Sequence, residues 1–213
     1  TVDAAVRSGS LRRRTVSVTG PVGLPIQASY ALDGTEAVIE LAQASGLDAL
    51  PSDQHGALQL DALGTSSHGT GELIADALEA GCTRIVLGVG GSACTDGGAG
   101  LLTALGARFL DAEGAAVAPG GGSLSQVAHA DLTCLDPRIR EAALVLAADV
   151  DNPLLGDHGA AAVFGPQKGA DPGGVAVLER GLSTLRDRLA DSIGSSALCV
   201  ADAPGAGAAG GVG

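Results

Sequence analysis

The sequence predicts an α/β fold, in which a parallel-sheet α/β/α domain is joined to a smaller β-rich α+β domain. Three observations predict it. Two short apolar runs, at 84–89 and 143–149, each lead into a polar loop, as buried strands of a parallel sheet do. Helical patterns at 71–80 and 98–105 flank the first run. The early part of the chain instead alternates with the period of two that is typical of strands.

We predict that residues 1–64 form the smaller domain. Its first strand is the alternating segment 15–19, which ends at a Gly20-Pro21 turn. A second strand covers 26–32, and Asp33-Gly34 turns the chain back toward a third strand at 37–41. Polar residues at 51–64 connect this region to the rest. A later segment, 103–135, includes a predicted hairpin at 108–117 and is compatible with either domain.

Residues 65–213 form the predicted ligand-binding α/β domain. Thr70 is placed to cap the helix over 71–80, and Gly81 ends it. The strand at 84–89, a Gly-rich loop and the helix at 98–105 follow in the order expected of a parallel sheet. Asp171 and Pro172 start a further long helix. Its apolar stripe consists of Val175, Leu178, Leu182, Leu185 and Leu189, spaced by three and four residues.

Composition excludes several classes of protein. The chain has 213 residues and a formal net charge of −12, which argues against a nucleic-acid surface. No apolar run approaches the roughly 18 residues that span a membrane, and no signal-peptide pattern is visible. Four cysteines without CxxC or CxxH spacing indicate reduced thiols. We therefore expect a cytoplasmic protein without nucleic-acid or membrane partners.

The Gly-rich loop at 88–100 is the first candidate site, because ligands usually bind beyond the carboxyl ends of strands in open α/β sheets. Glycine N–H groups and a helix amino terminus favour a bound anion such as phosphate. The residues that would contact it are Gly90, Gly91, Ser92, Thr95, Asp96, Gly97 and Gly98. The loop matches neither the dinucleotide fingerprint nor GxxxxGK[ST], so a loop that only packs is the alternative.

Two further loops carry polar groups. Asp149 ends the second buried strand, where a carboxylate can act as a general base or as a Mg²⁺ ligand. Asn152 follows it and can orient a hydroxyl, although a strand-end cap with an Asn-Pro turn is the alternative. Lys168 is the only lysine in the chain and lies beside Gln167 in a Gly/Pro loop. A compact ammonium group suits phosphate.

The remaining polar residues of interest are weaker candidates. Thr70 is interpreted first as a helix cap, and Glu72 as a carboxylate of the first helical turn, which the helix dipole favours. Cys94 lies in the Gly-rich loop without an evident base partner, so we do not expect a nucleophile. Three histidines in polar loops are expected to face solvent: His55, His129 and His158.

Taken in order, these loops resemble the bacterial class I glycerate kinase family. Two of the motifs that carry the resemblance are Gly90-Gly-Ser-Ala-Cys-Thr-Asp-Gly-Gly-Ala-Gly100 and Phe164-Gly-Pro-Gln-Lys-Gly169. The others cover residues 18–23, 37–46, 69–74, 104–109, 149–154 and 204–211. The motifs run in family order over essentially the whole chain.

The resemblance implies an enzyme that transfers the γ-phosphoryl group of ATP to D-glycerate with Mg²⁺, giving 2- or 3-phosphoglycerate. It implies that Asp149 accepts the glycerate proton or holds Mg²⁺, and that Lys168 and the 90–98 loop neutralise phosphate or carboxylate. Asn152 and Gln167 would orient substrate. Thr70 and Glu72 lie in a family motif and join the expected substrate-binding set.

The chain departs from the family pattern in two respects. The family loop usually has Thr-Asn where this chain has Cys94 and Thr95. The family's Asp-Ser-Phe-Lys-Gly and Thr-Gly-Glu-Gly motifs are absent and would lie before Thr1 and after Gly213, so the chain resembles the middle of a longer kinase. One alternative function stays open, a non-catalytic module that binds a phosphorylated or carboxylate ligand. Another, a Rossmann-type oxidoreductase, is disfavoured because its fingerprint is missing. The sequence does not determine whether the protein forms a homo-oligomer.

Overall fold

A five-stranded mixed sheet forms the centre of the protein. The computed structural model describes residues 2–7 and 9–213. The strands are β1 (Arg12–Thr19), β2 (Pro25–Leu32), β3 (Glu36–Glu40), β4 (Arg84–Gly88) and β7 (Ala143–Ala147), in the order β1-β2-β3-β4-β7. β3, β4 and β7 are parallel, whereas β2 runs against both of its neighbours. The carboxyl ends of β1, β3, β4 and β7 therefore lie at one edge, and the predicted α/β class is confirmed.

A separate antiparallel pair consists of β5 (Arg108–Leu110) and β6 (His129–Asp131). The predicted hairpin at 108–117 forms next to it. Asp111 accepts hydrogen bonds from the N–H groups of Glu113 and Ala115, and Val117 N–H donates to the Phe109 carbonyl. A short carboxylate that bonds the backbone two residues ahead is a standard means of closing such a turn.

Eight helices accompany the strands in the described residues. They are α1 (Val2–Arg7), α2 (Ala42–Ser45), α3 (His68–Glu79), α4 (Ala99–Ala104), α5 (Arg138–Glu141), α6 (Ala160–Phe164), α7 (Pro172–Ile193) and α8 (Ser196–Ala201). The predicted start of α7 is confirmed, because Asp171 accepts a hydrogen bond from Gly174 N–H at 2.7 Å. Leu178, Leu182 and Leu185 of its stripe are buried. No helix in the described residues is long and apolar enough to cross a membrane.

The apolar core has two parts. One lies between the sheet and α3 and includes Tyr30, Ile39, Leu73 and Ile85. The other lies beneath α7, where the leucine stripe packs against Phe109, Leu124 and neighbouring alanines. Each fully buried large aliphatic side chain contributes about 1.5–3 kcal/mol of transfer free energy. These two clusters fix the loops that connect the strands to α3, α4 and α7.

The start of α3 and the burial of β7 differ from the predictions. α3 begins at His68, so Thr70 lies inside the helix rather than at its cap, and Glu72 lies beyond the first turn. The Thr70 hydroxyl contacts Ser45 Oγ instead. β7 is predicted to be buried, but Leu144 and Leu146 are 54% and 42% exposed, and they line a cavity that they share with residues of α7 and α8.

The predicted boundary between residues 64 and 65 stays a prediction. The three strands assigned to the smaller domain, β1, β2 and β3, are hydrogen-bonded into the same sheet as β4 and β7. His55, His129 and His158 are exposed, as predicted.

Candidate functional site

All nine buried polar or charged side chains in the described part of the chain gather around one segment, the loop 90–97 that follows β4. They are Ser45, Thr65, Ser66, Ser67, Thr70, Ser92, Thr95, Asp96 and Lys168. We call this set the polar cluster. Buried polar groups are costly unless they are hydrogen-bonded, so their concentration at one place sets this loop apart from the apolar core.

Asp96 forms the inner end of the polar cluster. Its Oδ2 atom accepts bonds from Ser67 N–H at 2.7 Å, Ser67 Oγ at 2.9 Å, Gly100 N–H at 3.2 Å and Ser66 Oγ at 3.3 Å. Its Oδ1 atom accepts from Gly98 N–H at 3.2 Å. The carboxylate therefore occupies the space where the amino ends of α3 and α4 meet. It supplies the negative charge that helix amino termini favour.

Gly100 explains how Asp96 can approach both helices. A Cβ atom at this position would lie 2.2 Å from Ser66 Oγ and 2.8 Å from Asp96 Oδ2. Any side chain larger than hydrogen would separate the carboxylate from its donors. Glycine at this end of the loop thus allows the Asp96 carboxylate to approach the amino ends of α3 and α4.

Lys168 lies at the other end of the polar cluster. It is 2% exposed, and its Nζ donates to Ser92 Oγ at 2.8 Å and to the Cys94 carbonyl at 2.5 Å. No carboxylate of the described residues lies within ion-pair distance of this ammonium group. Burial lowers the pKa of Lys168, partly opposed by the negative charge of Asp96. An ammonium group has three N–H donors, so one donor has no acceptor among the described residues.

The loop formed by residues 205–211 packs against the loop after β4. Gly97 N–H donates to the Gly210 carbonyl at 3.0 Å, and Ala209 adopts a left-handed conformation with φ of 50°. A Cβ atom on Gly210 would lie 2.3 Å from the Cys94 carbonyl oxygen. Burial and the charge of Asp96 raise the pKa of the Cys94 thiol, which fits the expectation that it is no nucleophile.

The outer rim of the site is exposed. Gly90 and Gly91 lie at the carboxyl end of β4 with their surfaces open to solvent. Asp149 and Gln167 are exposed, and their side chains have no hydrogen-bond or ion-pair partner among the described residues. Asn152 Nδ2 donates to the His158 carbonyl at 2.8 Å, which leaves its side-chain oxygen available.

The predicted site residues therefore fall into three groups. Ser92, Thr95, Asp96, Lys168 and Thr70 are brought together in the polar cluster, in which the Thr70 hydroxyl is hydrogen-bonded to Ser45. Asp149, Asn152 and Gln167 make no direct hydrogen bond to that cluster. Glu72 lies apart, where its carboxylate accepts from Thr19 N–H at 2.5 Å and from Thr19 Oγ1 at 3.1 Å.

The backbone N–H groups of Gly97 and Gly98 both donate within the protein, to Gly210 and Asp96. Thr95 Oγ1 is buried and has no hydrogen-bond partner among the described residues. A metal centre made by this chain alone is not supported, since no group of three or more His, Cys, Asp or Glu residues converges in the described ranges. A single carboxylate such as Asp149 still suits Mg²⁺ that is held mainly by phosphate oxygens and water.

Sequence reasoning missed the hydroxyl residues that surround the loop. Thr65 Oγ1 donates to the Ala93 carbonyl at 2.9 Å, and Ala93 N–H donates to the Ser45 carbonyl at 2.9 Å. Ser66 and Ser67 hold Asp96. The one available signal was the Ser-Ser pair just before α3, because serine is a preferred residue at the start of a helix.

Comparisons with known proteins agree with one another. The model of the glycerate kinase family matches residues 1–213. A glycerate kinase of Bacillus subtilis (strain 168) is 50% identical over 198 residues, which are 92% of this chain and 50% of the relative. Glycerate 2-kinase of Escherichia coli (strain K12) is 45% identical over 215 residues, which are 100% of this chain and 54% of the relative.

A crystal structure assigned to glycerate kinase 2 from Salmonella typhimurium LT2 has a TM-score of 0.93 and 46% identity. The match covers 100% of this chain and 55% of that one. The chain thus spans about half the length of the relatives it matches.

Proposed function

The chain belongs to the glycerate kinase family, and we therefore propose that it is part of an enzyme that phosphorylates glycerate. We further propose that the phosphoryl donor is ATP, that Mg²⁺ assists, and that the product is a phosphoglycerate. The names of the relatives support the acceptor, and the family supports the use of a nucleotide.

The observation that carries the proposal is the buried ammonium group of Lys168. A buried charge without an ion-pair partner costs several kcal/mol. That cost is reduced when an anionic substrate group arrives. Phosphoryl transfer depends mainly on positioning and on electrostatic stabilisation by such fixed charges.

Ser92 is the residue through which Lys168 acts in this proposal. Because Ser92 Oγ accepts a hydrogen bond from Lys168 Nζ, its own O–H group is free to donate to a bound anion. Gly90 and Gly91 are exposed residues, and we propose that their N–H groups offer further donors to a phosphate or carboxylate. Asp96, Gly97, Gly98 and Thr70 then hold the loop in shape through their hydrogen bonds within the protein rather than contacting the anion.

Asp149 has the second role. Its carboxylate is exposed beyond the carboxyl end of β7 and has no hydrogen-bond or ion-pair partner in the described part of the chain, so we propose that it accepts the proton of the glycerate hydroxyl or binds Mg²⁺. The ion would supply positive charge close to the transferred phosphoryl group. The free oxygen of Asn152 and the amide of Gln167 are assigned to substrate orientation.

The test uses the complete enzyme, of which this chain forms a part. Asp149→Asn is expected to lower kcat at least about a hundredfold while ATP binding changes little, as for loss of a general base. The control is Asp151→Asn, a similar change at an exposed neighbour two residues away. ADP formation in the presence of D-glycerate is measured, and NMR of the product identifies the phosphorylated hydroxyl. Equal turnover in both variants contradicts the role of Asp149.

A second pair of variants tests Lys168. Lys168→Met is expected to abolish turnover, and Arg140→Met, which removes an exposed cation, serves as the control. A protein that is stabilised by glycerate or phosphate but never forms ADP would instead be a binding module.

A further inference from the structure

A cavity of about 460 Å³ lies beside the polar cluster. One wall is the turn between β1 and β2, and the opposite wall consists of α4 and the hairpin that follows β5. Its sides are mainly apolar and include Val22, Phe109, Val117 and Leu124. None of the site residues predicted from sequence lines it.

The cavity is next to the proposed reaction site for two structural reasons. Thr19, at the end of β1, lines it, and that end lies at the same sheet edge as the carboxyl end of β4. Ser66 and Gly100 line it as well, and both donate hydrogen bonds to Asp96 of the polar cluster. The cavity and the loop after β4 therefore share a wall.

Polar groups are confined to a few positions around the cavity. The imidazole of His68 is partly exposed, with its Nε2 atom 3.7 Å from Glu72 Oε1. Glu72 also binds the backbone N–H of Thr19. One carboxylate thus holds two of the lining residues, and Arg108 adds a guanidinium group to the lining.

We propose that this cavity binds the nucleoside part of the phosphoryl donor, with the purine ring against the apolar walls. The inference rests on the proposed kinase function. D-Glycerate bears an oxygen on each of its three carbons and gains nothing from aliphatic walls, whereas the face of a purine is apolar. The volume lies in the range of 300–1,000 Å³ that is typical of small-molecule pockets. His68 and Arg108 offer N–H donors to ribose or phosphate oxygens.

A second cavity of about 480 Å³ lies beside β7 and also reaches the candidate loop, at Gly97 and Gly98, but it offers fewer polar groups to ribose or phosphate. Its walls are mostly leucine, isoleucine and valine side chains, including the exposed Leu144 and Leu146. Its guanidinium group, Arg186, is already paired with Asp187.

The test fills the first cavity from its mouth in the complete enzyme. Ala116→Phe and Ala118→Trp enlarge two exposed residues that line it, and Ala115→Trp is the control on the same hairpin outside the lining. Calorimetry measures the binding of ADP, adenosine and inorganic triphosphate. We expect the filled variants to bind ADP at least tenfold more weakly and adenosine hardly at all. The affinity of the filled variants for triphosphate should stay within about twofold of the wild-type value. The control Ala115→Trp should bind all three ligands as the wild type does.

Two outcomes overturn the proposal: unchanged ADP binding in both folded filled variants, or loss of glycerate binding with ADP binding retained. Photolabelling of the wild type with 8-azido-ADP gives an independent readout, and label outside residues 19–23 and 64–124 also overturns it. Failure of the proposed function gives a different result. A wild-type enzyme that binds ADP in the cavity but forms no ADP from ATP in the presence of glycerate lacks the kinase activity, while the cavity assignment stands.

Discussion

Replacing Asp96 with alanine should destabilise the protein severely, because its buried carboxylate accepts five hydrogen bonds. The substitution removes the acceptor of three backbone N–H groups, those of Ser67, Gly98 and Gly100. Each buried donor left without an acceptor costs about 1–3 kcal/mol. For three donors we expect a loss of about 3–9 kcal/mol, a large part of the 5–15 kcal/mol that stabilises a typical domain.

Asp96→Asn separates the contribution of the acceptor atoms from that of the charge. The amide oxygen can replace Oδ2, which accepts four of the five bonds, whereas the NH₂ group would face Gly98 N–H and lose that bond. One unsatisfied donor corresponds to about 1–3 kcal/mol. The expected order of stability is therefore wild type, Asp96→Asn, Asp96→Ala.

Urea unfolding of the complete enzyme measures these differences as shifts of the midpoint at constant slope. Asp53→Ala is the matched control, because Asp53 also accepts two backbone N–H bonds but lies in a fully exposed turn where water replaces it. Its cost should stay within about 0.5 kcal/mol. If Asp96→Ala falls in that range too, the carboxylate is not the acceptor that holds the two helices.

Three further predictions concern buried or paired polar groups. Thr95→Val replaces a buried hydroxyl without a partner and should raise the free energy of unfolding by about 1 kcal/mol; a loss in urea unfolding would mean that the hydroxyl is bonded. Burial lowers the pKa of Lys168 below 10.5, so protonation opposes folding and stability should rise as pH increases toward 10.5, a rise that Lys168→Met should abolish in thermal unfolding. Burial raises the pKa of Asp76, but the bonds from Arg14 and Tyr30 outweigh it and lower the pKa below 3.8. The contribution of Asp76 to the free energy of unfolding is therefore complete above pH 3.8 and is lost as pH falls through its folded pKa. The stability that Arg14→Met loses relative to the wild type should accordingly shrink when unfolding is measured at acid pH. A loss that does not change with pH contradicts this prediction.

The strands and helices could be predicted where periodicity reports burial. The alternation before Gly20 and the leucine stripe of α7 correspond to faces that pack in the structure. The prediction that β7 is buried was wrong, because the hydropathy of a strand shows that it can be buried but not how closely other elements pack against it. The prediction that Thr70 caps α3 was wrong, because the helix begins earlier, directly after the two serines upstream. The tertiary contacts of these serines stabilise that earlier start.

The candidate site was predictable as a location and only partly as a set of contacts. Gly-rich composition and position after a strand indicated the loop 88–100, but composition does not tell whether an N–H group meets a ligand or a side chain. At Gly98 and Gly100 the acceptor is Asp96 of the same loop. The burial of Lys168 and its bond to Ser92 join residues 76 positions apart, which only the folded chain brings together.

The segregation of every described buried polar side chain around one loop divides the interior into two regions with different tolerance to mutation. In the apolar region, exchanges among leucine, isoleucine, valine and alanine that conserve total volume leave the fold intact. Around loop 90–97, the polar side chains other than Thr95 are hydrogen-bonded to specific partners, and an apolar replacement would leave those partners unsatisfied. A saturation mutagenesis map should therefore show a permissive interior with a single intolerant island, and that island would mark the ligand-binding edge without any assay of ligand binding.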